Sequence, residues 1–199
     1  MMGLLGIVIA YLLGSIPFGY LLTRLTTGRD VRTEGSGNIG ATNVVRAAGR
    51  RVGIATLALD MAKGSLAVWL AGWLTNGSPG WMADAALAVM AGHAFPVFLN
   101  FKGGKTVATF AGAFIYLMPV PMLATILVFI IAVAVTRYVS VGSVLGAAMF
   151  PLGAWIIDHP SFLEMFAAIM GCAFIIYRHL PNLERIRKGT EPQFRWSKR

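Results

Sequence analysis

Three short polar stretches hold the side chains of this chain that could do chemistry: 35–43 (GSGNIGATN), 101–105 (FKGGK) and 177–182 (YRHLPN). Each combines glycine or proline with Ser, Asn, Arg, Lys or His. Glycine lets a backbone approach a ligand closely, and cations or helix N-termini then supply positive charge, which is how phosphate sites are built.

In the first stretch, Gly35, Gly37 and Gly40 can turn successive N–H groups inward around Ser36 and Asn38, as an anion nest does. Thr42 or Asn43 would cap the helix that follows. Asn43, Arg46 and Arg50 then recur at helical spacing, which predicts one amide and two guanidiniums on a shared face. A dianionic phosphate is the natural partner. The pattern GxxxxGK[ST] is absent, so a P-loop nucleotide site is not indicated. In the second stretch, Gly103 and Gly104 admit a ligand near the backbone, and Lys105 opens the next helix as a point charge for phosphate; Lys102 reads as an interfacial lysine. The third stretch ends the last apolar run. His179 in it could bind phosphate or relay a proton, and Asn182 lies beyond Pro181, which is expected to break the local geometry. Glu184 echoes the acid of a His-x4-Asp motif, but it reads better as a structural partner for neighbouring arginines.

These stretches sit in an apolar chain. Of the 199 residues 57% are hydrophobic and only 13% charged, too little polarity to wrap a soluble core. The expected fold is an all-α integral membrane protein, a compact bundle of about seven transmembrane helices. Taking about 20 residues per crossing, the spans fall near 3–25, 53–75, 81–99, 106–118, 121–136, 141–157 and 161–178. The span 106–118 is short, which suggests that the FKGGK loop dips below the surface. The first run lacks the basic start and small-residue cleavage site of a signal peptide and reads as a retained helix. No linker divides the chain, so residues 1–199 are expected to form a single domain. Cys172, alone, excludes an intrachain disulfide.

A net charge of +9 could suggest nucleic acid, but its placement follows membrane topology instead. The turns 76–80, 118–121 and 157–161 contain no Lys or Arg, whereas sixteen of the seventeen basic residues fall in the other connections and the C-terminal tail. By the positive-inside rule the N-terminus is outside, and the C-terminus and all three polar stretches are cytoplasmic. The tail also carries Phe194 and Trp196 among its cations, a composition suited to an anionic leaflet. Within the spans, Asp60 and Lys63 are spaced to neutralise each other on one helix, or Asp60 reaches an arginine of the first stretch. His93 is placed for interhelical hydrogen bonding.

Together the stretches resemble the bacterial acyl-phosphate:glycerol-3-phosphate acyltransferases of the PlsY type. GSGNIGATN with Arg46 is similar to that family's first motif, GHAFPVFLNFKGGKTVAT (92–109) to its second and IIYRHLPNLERI (175–186) to its third. The resemblance implies transfer of a fatty acyl group from acyl-phosphate to the 1-position of glycerol 3-phosphate, at the cytoplasmic side of the bacterial inner membrane. It implies no cofactor and no metal, and a protein working as a monomer. Ser36, Arg46, Lys105 and His179 would be catalytic. Gly37, Asn38, Gly40, Thr42, Asn43, Gly103, Gly104 and Asn182 would bind substrate, and Glu184 would be structural. No nucleophile with a paired histidine is evident, so transfer is expected to be direct. The general base is open between His179 and a phosphate oxygen of a bound substrate. A small transporter for a phosphate-bearing metabolite is the alternative, disfavoured because the outward half of the chain lacks matching polar residues.

Overall fold

A computed structural model describes residues 1–194, and its elements are helical: nine α-helices and two single 3-10 turns among the described residues. Arg195, Trp196, Lys198 and Arg199 of the tail fall outside that range. The helices form two compact units, Met1–Leu117 and Met118–Arg199. The boundary between these units falls at the one-residue turn Met118.

The first unit contains α1 (Met2–Ser15), α2 (Phe18–Thr27), α3 (Ala41–Ala48), α4 (Arg50–Leu74), α5 (Pro79–Ala94) and α6 (Val107–Leu117). The first expected span, 3–25, is interrupted. Pro17 has no N–H and biases the residue before it away from helix, and Ile16 is extended at φ −65°, ψ 113°. Close backbone contact pairs the long helices: a Cβ on Gly14 of α1 would strike Val89 of α5, and one on Gly112 of α6 would strike Met61 of α4. Small residues at helix crossings are how membrane helices approach when lipid supplies no hydrophobic drive.

The second unit contains α7 (Pro119–Thr136), α8 (Val139–Ile157) and α9 (Phe162–Arg187). Helix α9 starts from a capping box, in which the Ser161 hydroxyl accepts from Glu164 N–H and the Glu164 carboxylate accepts from Ser161 N–H. It does not stop at residue 178 as expected but runs through Pro181 to Arg187.

Six helical stretches are long and apolar enough to cross a membrane: Met2–Thr27, Arg50–Leu74, Pro79–Leu99, Pro119–Thr136, Val139–Ile157 and Phe162–Arg187. The remaining apolar helix, α6, has 11 residues, about 16 Å at 1.5 Å per residue. Leu4, Val8, Leu127, Ile130, Trp155 and Ile156 are exposed, which suits a hydrocarbon surround and not water. The protein is an all-α integral membrane protein.

Candidate functional site

The first polar stretch folds around the side chain of Asn43. This residue is buried, and its carboxamide oxygen accepts from Ser36 N–H at 2.9 Å. Its amide nitrogen donates to the carbonyls of Val31 (3.0 Å), Glu34 (2.9 Å) and Asn38 (2.9 Å). The loop passes close over it: Gly35 has φ 53°, and a Cβ there would collide with the Asn43 oxygen. This corrects two expectations. Asn43 faces the loop and does not project with Arg46 towards a ligand. The amides of Ser36, Gly37 and Gly40 do not converge as a nest either, because Gly37 N–H donates to Glu34 O and Gly40 N–H to Asn38 Oδ1. A carboxamide with four loop partners satisfies those groups inside the loop, so an anion is not needed to do it. Gly40, and not Thr42 or Asn43, is the N-cap of α3.

What remains at the loop surface is the exposed Ser36, with Thr42 and Arg46 half-buried on α3. The Arg46 stem passes 3.7 Å from the Cβ position of Gly35. Upstream, Asp30 caps the 3-10 turn by accepting from Arg32 N–H at 2.9 Å and pairs with the Arg32 guanidinium at 2.7 Å. The hydrogen bond from Arg32 holds the Asp30 carboxyl below its usual range, and the Arg32 guanidinium also lies over the Tyr20 ring at 5.0 Å.

The second stretch follows α5 as a tight loop. Gly103 N–H donates to Ala94 O (3.1 Å) and Gly104 N–H to His93 O (3.0 Å). Side chains would not fit: a Cβ on Gly103 would meet the His93 carbonyl, and one on Gly104 the His93 ring. Lys105 is half-buried just before α6, and Lys102 is exposed. A feature the sequence did not announce is the backbone here. Asn100, Phe101 and Thr106 have φ of 51°, 61° and 63°, and a β-branched residue in that region is an outlier.

The two loops share one apolar cluster. Val31 and Ile39 of the first loop pack with Val44 of α3 and with Leu99, two residues before Phe101. Ser36 and Arg46 are therefore anchored to the same small core as Lys105. Beneath them, Asp60 and Lys63 of α4 pair at 2.8 Å, as their spacing predicts, and His93 Nδ1 lies 3.6 Å from Asp60 Oδ1.

The third stretch belongs to the second unit. His179 and Asn182 are both buried and lie one turn apart on α9. A carbonyl only accepts, so the 2.8 Å contact of His179 Nδ1 with Ile175 O puts the proton on Nδ1 and, in the neutral ring, the lone pair on Nε2. Asn182 donates its amide to Glu191 Oε1 at 2.7 Å. Glu191 also accepts from Ser140 (3.1 Å) and Arg185 (2.8 Å), a cluster that sequence reasoning missed. Its signal was an acid in a basic tail. Burial pushes the Glu191 carboxyl up, but the hydrogen bonds from Asn182 and Arg185, the Arg185 charge and Ser140 outweigh it and leave it below the usual glutamate range. Glu184 pairs with Arg187 at 2.9 Å and Lys188 at 3.3 Å.

Comparison with known proteins agrees over nearly the whole length. A family model described as glycerol-3-phosphate acyltransferase matches residues 4–189. Curated glycerol-3-phosphate acyltransferases from Trichlorobacter lovleyi and Desulforamulus reducens are 49% and 47% identical over 193 and 182 residues. These matches cover 97% and 92% of this chain and 98% and 90% of those relatives. Among solved structures, PlsY (YgiH), an integral membrane glycerol 3-phosphate acyltransferase, superposes in its glycerol 3-phosphate form with a TM-score of 0.92 at 37% identity. Its lysophosphatidic acid form gives 0.89 at 36%, and both alignments cover 98% of this chain and 96% of that one. By length of match, identity and fold, the chain belongs to the glycerol-3-phosphate acyltransferase family.

Proposed function

We propose that this protein transfers a fatty acyl group from acyl-phosphate to the sn-1 hydroxyl of glycerol 3-phosphate, forming lysophosphatidate and inorganic phosphate. It works as a monomer, with its reaction site at the cytoplasmic face of the bacterial inner membrane. The observation that carries the reading is the common core of the two glycine loops: Val31, Ile39, Val44 and Leu99 hold the Ser36/Arg46 loop beside the Lys105 loop, which suits two phosphate-bearing substrates reacting with each other. The relatives' names and the glycerol 3-phosphate and lysophosphatidic acid forms of PlsY support the acceptor and the product.

The acyl-phosphate is already activated, so the protein's task is alignment and charge stabilisation. The sn-1 oxygen attacks the acyl carbonyl, the bond from acyl carbon to phosphate oxygen breaks, and phosphate leaves with the electron pair. Ser36, through its hydroxyl, and Arg46 bind the donor phosphate, and Arg46 stabilises the charge that grows on it. Gly37, Asn38, Gly40 and Thr42 shape that loop; Asn43 acts from within it. Gly103, Gly104 and Lys105 serve glycerol 3-phosphate, and His179 and Asn182 of the third stretch are assigned to substrate as well. His179, protonated at Nδ1, has the right tautomer to accept the hydroxyl proton at Nε2; a substrate phosphate oxygen is the other candidate. Transfer is direct, without an acyl-enzyme.

The test is purified protein with labelled glycerol 3-phosphate and acyl-phosphate, acyl-CoA or acyl-carrier protein supplied in turn. Lysophosphatidate is expected from acyl-phosphate alone. Product from a thioester only would overturn the donor, and no product from any of the three would overturn the reading as a whole. A kcat for His179→Ala within a few-fold of wild type, with an unchanged pH profile, would assign the proton to the substrate.

A further inference from the structure

Asp60 is a buried acid that the mechanism above leaves without a role. Its side chain is 2% exposed in the middle of a helix of membrane-spanning length, where an ionised carboxylate must be matched. Lys63 matches it at 2.8 Å and also donates to Ile16 O at 2.9 Å, the carbonyl at the break between α1 and α2. Neutrality would need nothing more, yet the carboxylate also faces His93 of α5 at 3.6 Å.

His93 touches the second glycine loop twice. Its main-chain carbonyl accepts from Gly104 N–H, and its Nε2 is the atom that a Cβ on Gly104 would strike. That loop needs holding, because left-handed φ at Asn100, Phe101 and Thr106 costs on the order of 1–3 kcal/mol each and persists only where the surroundings enforce it. The imidazole is the floor of the loop, and Asp60 is the group on the far side of that floor.

We infer that Asp60 is a positioning residue: by fixing the His93 ring it sets the conformation of 103–105 and hence the affinity for glycerol 3-phosphate. The ligand rests on the function proposed above; the effect on the loop does not.

Two double variants separate this role from charge balance. Asp60→Leu with Lys63→Met and Asp60→Asn with Lys63→Met both remove the buried charges and the tie to Ile16, but only the second keeps an acceptor facing His93. The Leu/Met protein is expected to show a KM for glycerol 3-phosphate ~10- to 100-fold above that of Asn/Met, the range a small misplacement of binding groups produces. Its KM for the acyl donor should match that of Asn/Met. Hydrogen exchange at the Gly103 and Gly104 amides should be faster in Leu/Met, with exchange along α1 and α5 equal in the two. Equal KM values and equal exchange in the pair would overturn the inference. If wild-type protein acylates no glycerol 3-phosphate, the functional reading falls and the exchange comparison still decides this one. If Leu/Met does not fold, His93→Phe, which keeps a ring under Gly104 but severs it from Asp60, is expected to speed exchange at the same two amides; unchanged exchange there would overturn the inference equally.

Discussion

Asn43 and Arg46 stand three residues apart on α3 and serve the first loop in opposite ways. The carboxamide of Asn43 is enclosed by four backbone partners, whereas Arg46 is a half-buried cation beside Gly35. Asn43→Ala leaves one N–H and three carbonyls without that partner, and an unsatisfied buried group costs about 1–3 kcal/mol. This variant is therefore expected to lower the thermal midpoint and the activity together. Arg46→Ala should lose activity by ~100-fold or more, since one electrostatic contact to a transition state is worth that much. Paired melting curves and turnover assays check both, and a normal midpoint for Asn43→Ala would show that the loop does not depend on it. The residue types of this loop were legible in the sequence. The direction in which Asn43 points was not, because helical spacing fixes a shared face but not what the preceding loop lays over it.

At the scale of elements, the informative differences are two prolines. Pro17 interrupts the first span and Pro181 does not interrupt the last one, although both follow the same covalent rule. At the break before Pro17 the Ile16 carbonyl accepts from Phe18 N–H and also from Lys63 of another helix, a long-range partner no local pattern reveals. Beyond Pro181, α9 is held by Glu184 with Arg187 and Lys188 and by Asn182 with Glu191, and these contacts carry it one and a half turns further. Glu191 binds the segment after α9 to Ser140, Asn182 and Arg185. Its carboxyl is lowered in the folded state from the ordinary 4.5, so its stabilisation is fully present above pH 4.5 and is lost as pH falls through the lowered folded value. Amide exchange at Thr190 and Glu191 should thus be flat from neutral pH to about 5, once corrected for intrinsic rates, and rise below the ordinary glutamate value. Glu191→Gln should show raised exchange throughout and no acid step. An identical pH profile in wild type and variant would remove Glu191 as the holding group.

For the molecule as a whole, apolar composition and the spacing of basic turns were enough to read an all-helical membrane protein, and expected spans such as 121–136 and 141–157 lie close to α7 at Pro119–Thr136 and α8 at Val139–Ile157. The division at Leu117 was not legible, because a helix-to-helix turn of one residue looks the same within a unit as between two. Topology is open to a direct check. With seven crossings the two ends lie on opposite sides, and with α6 failing to cross they lie on the same side. Reporters fused before Met1 and after Arg199 are expected to report the N-terminus outside and the C-terminus in the cytoplasm, as the distribution of Lys and Arg requires; two cytoplasmic signals would remove α6 from the count. The Asp60–Lys63 pair bears on how such a chain enters the bilayer at all. Both residues lie on α4, 2.8 Å apart across one turn, so the stretch of this helix beyond Arg51 carries its own counter-ion and can leave the translocation machinery as a net-neutral segment before α5 has been made. Lys63→Met alone would deliver an unmatched carboxylate to lipid at that stage, and its defect should be read first in the fraction of newly made chains that insert.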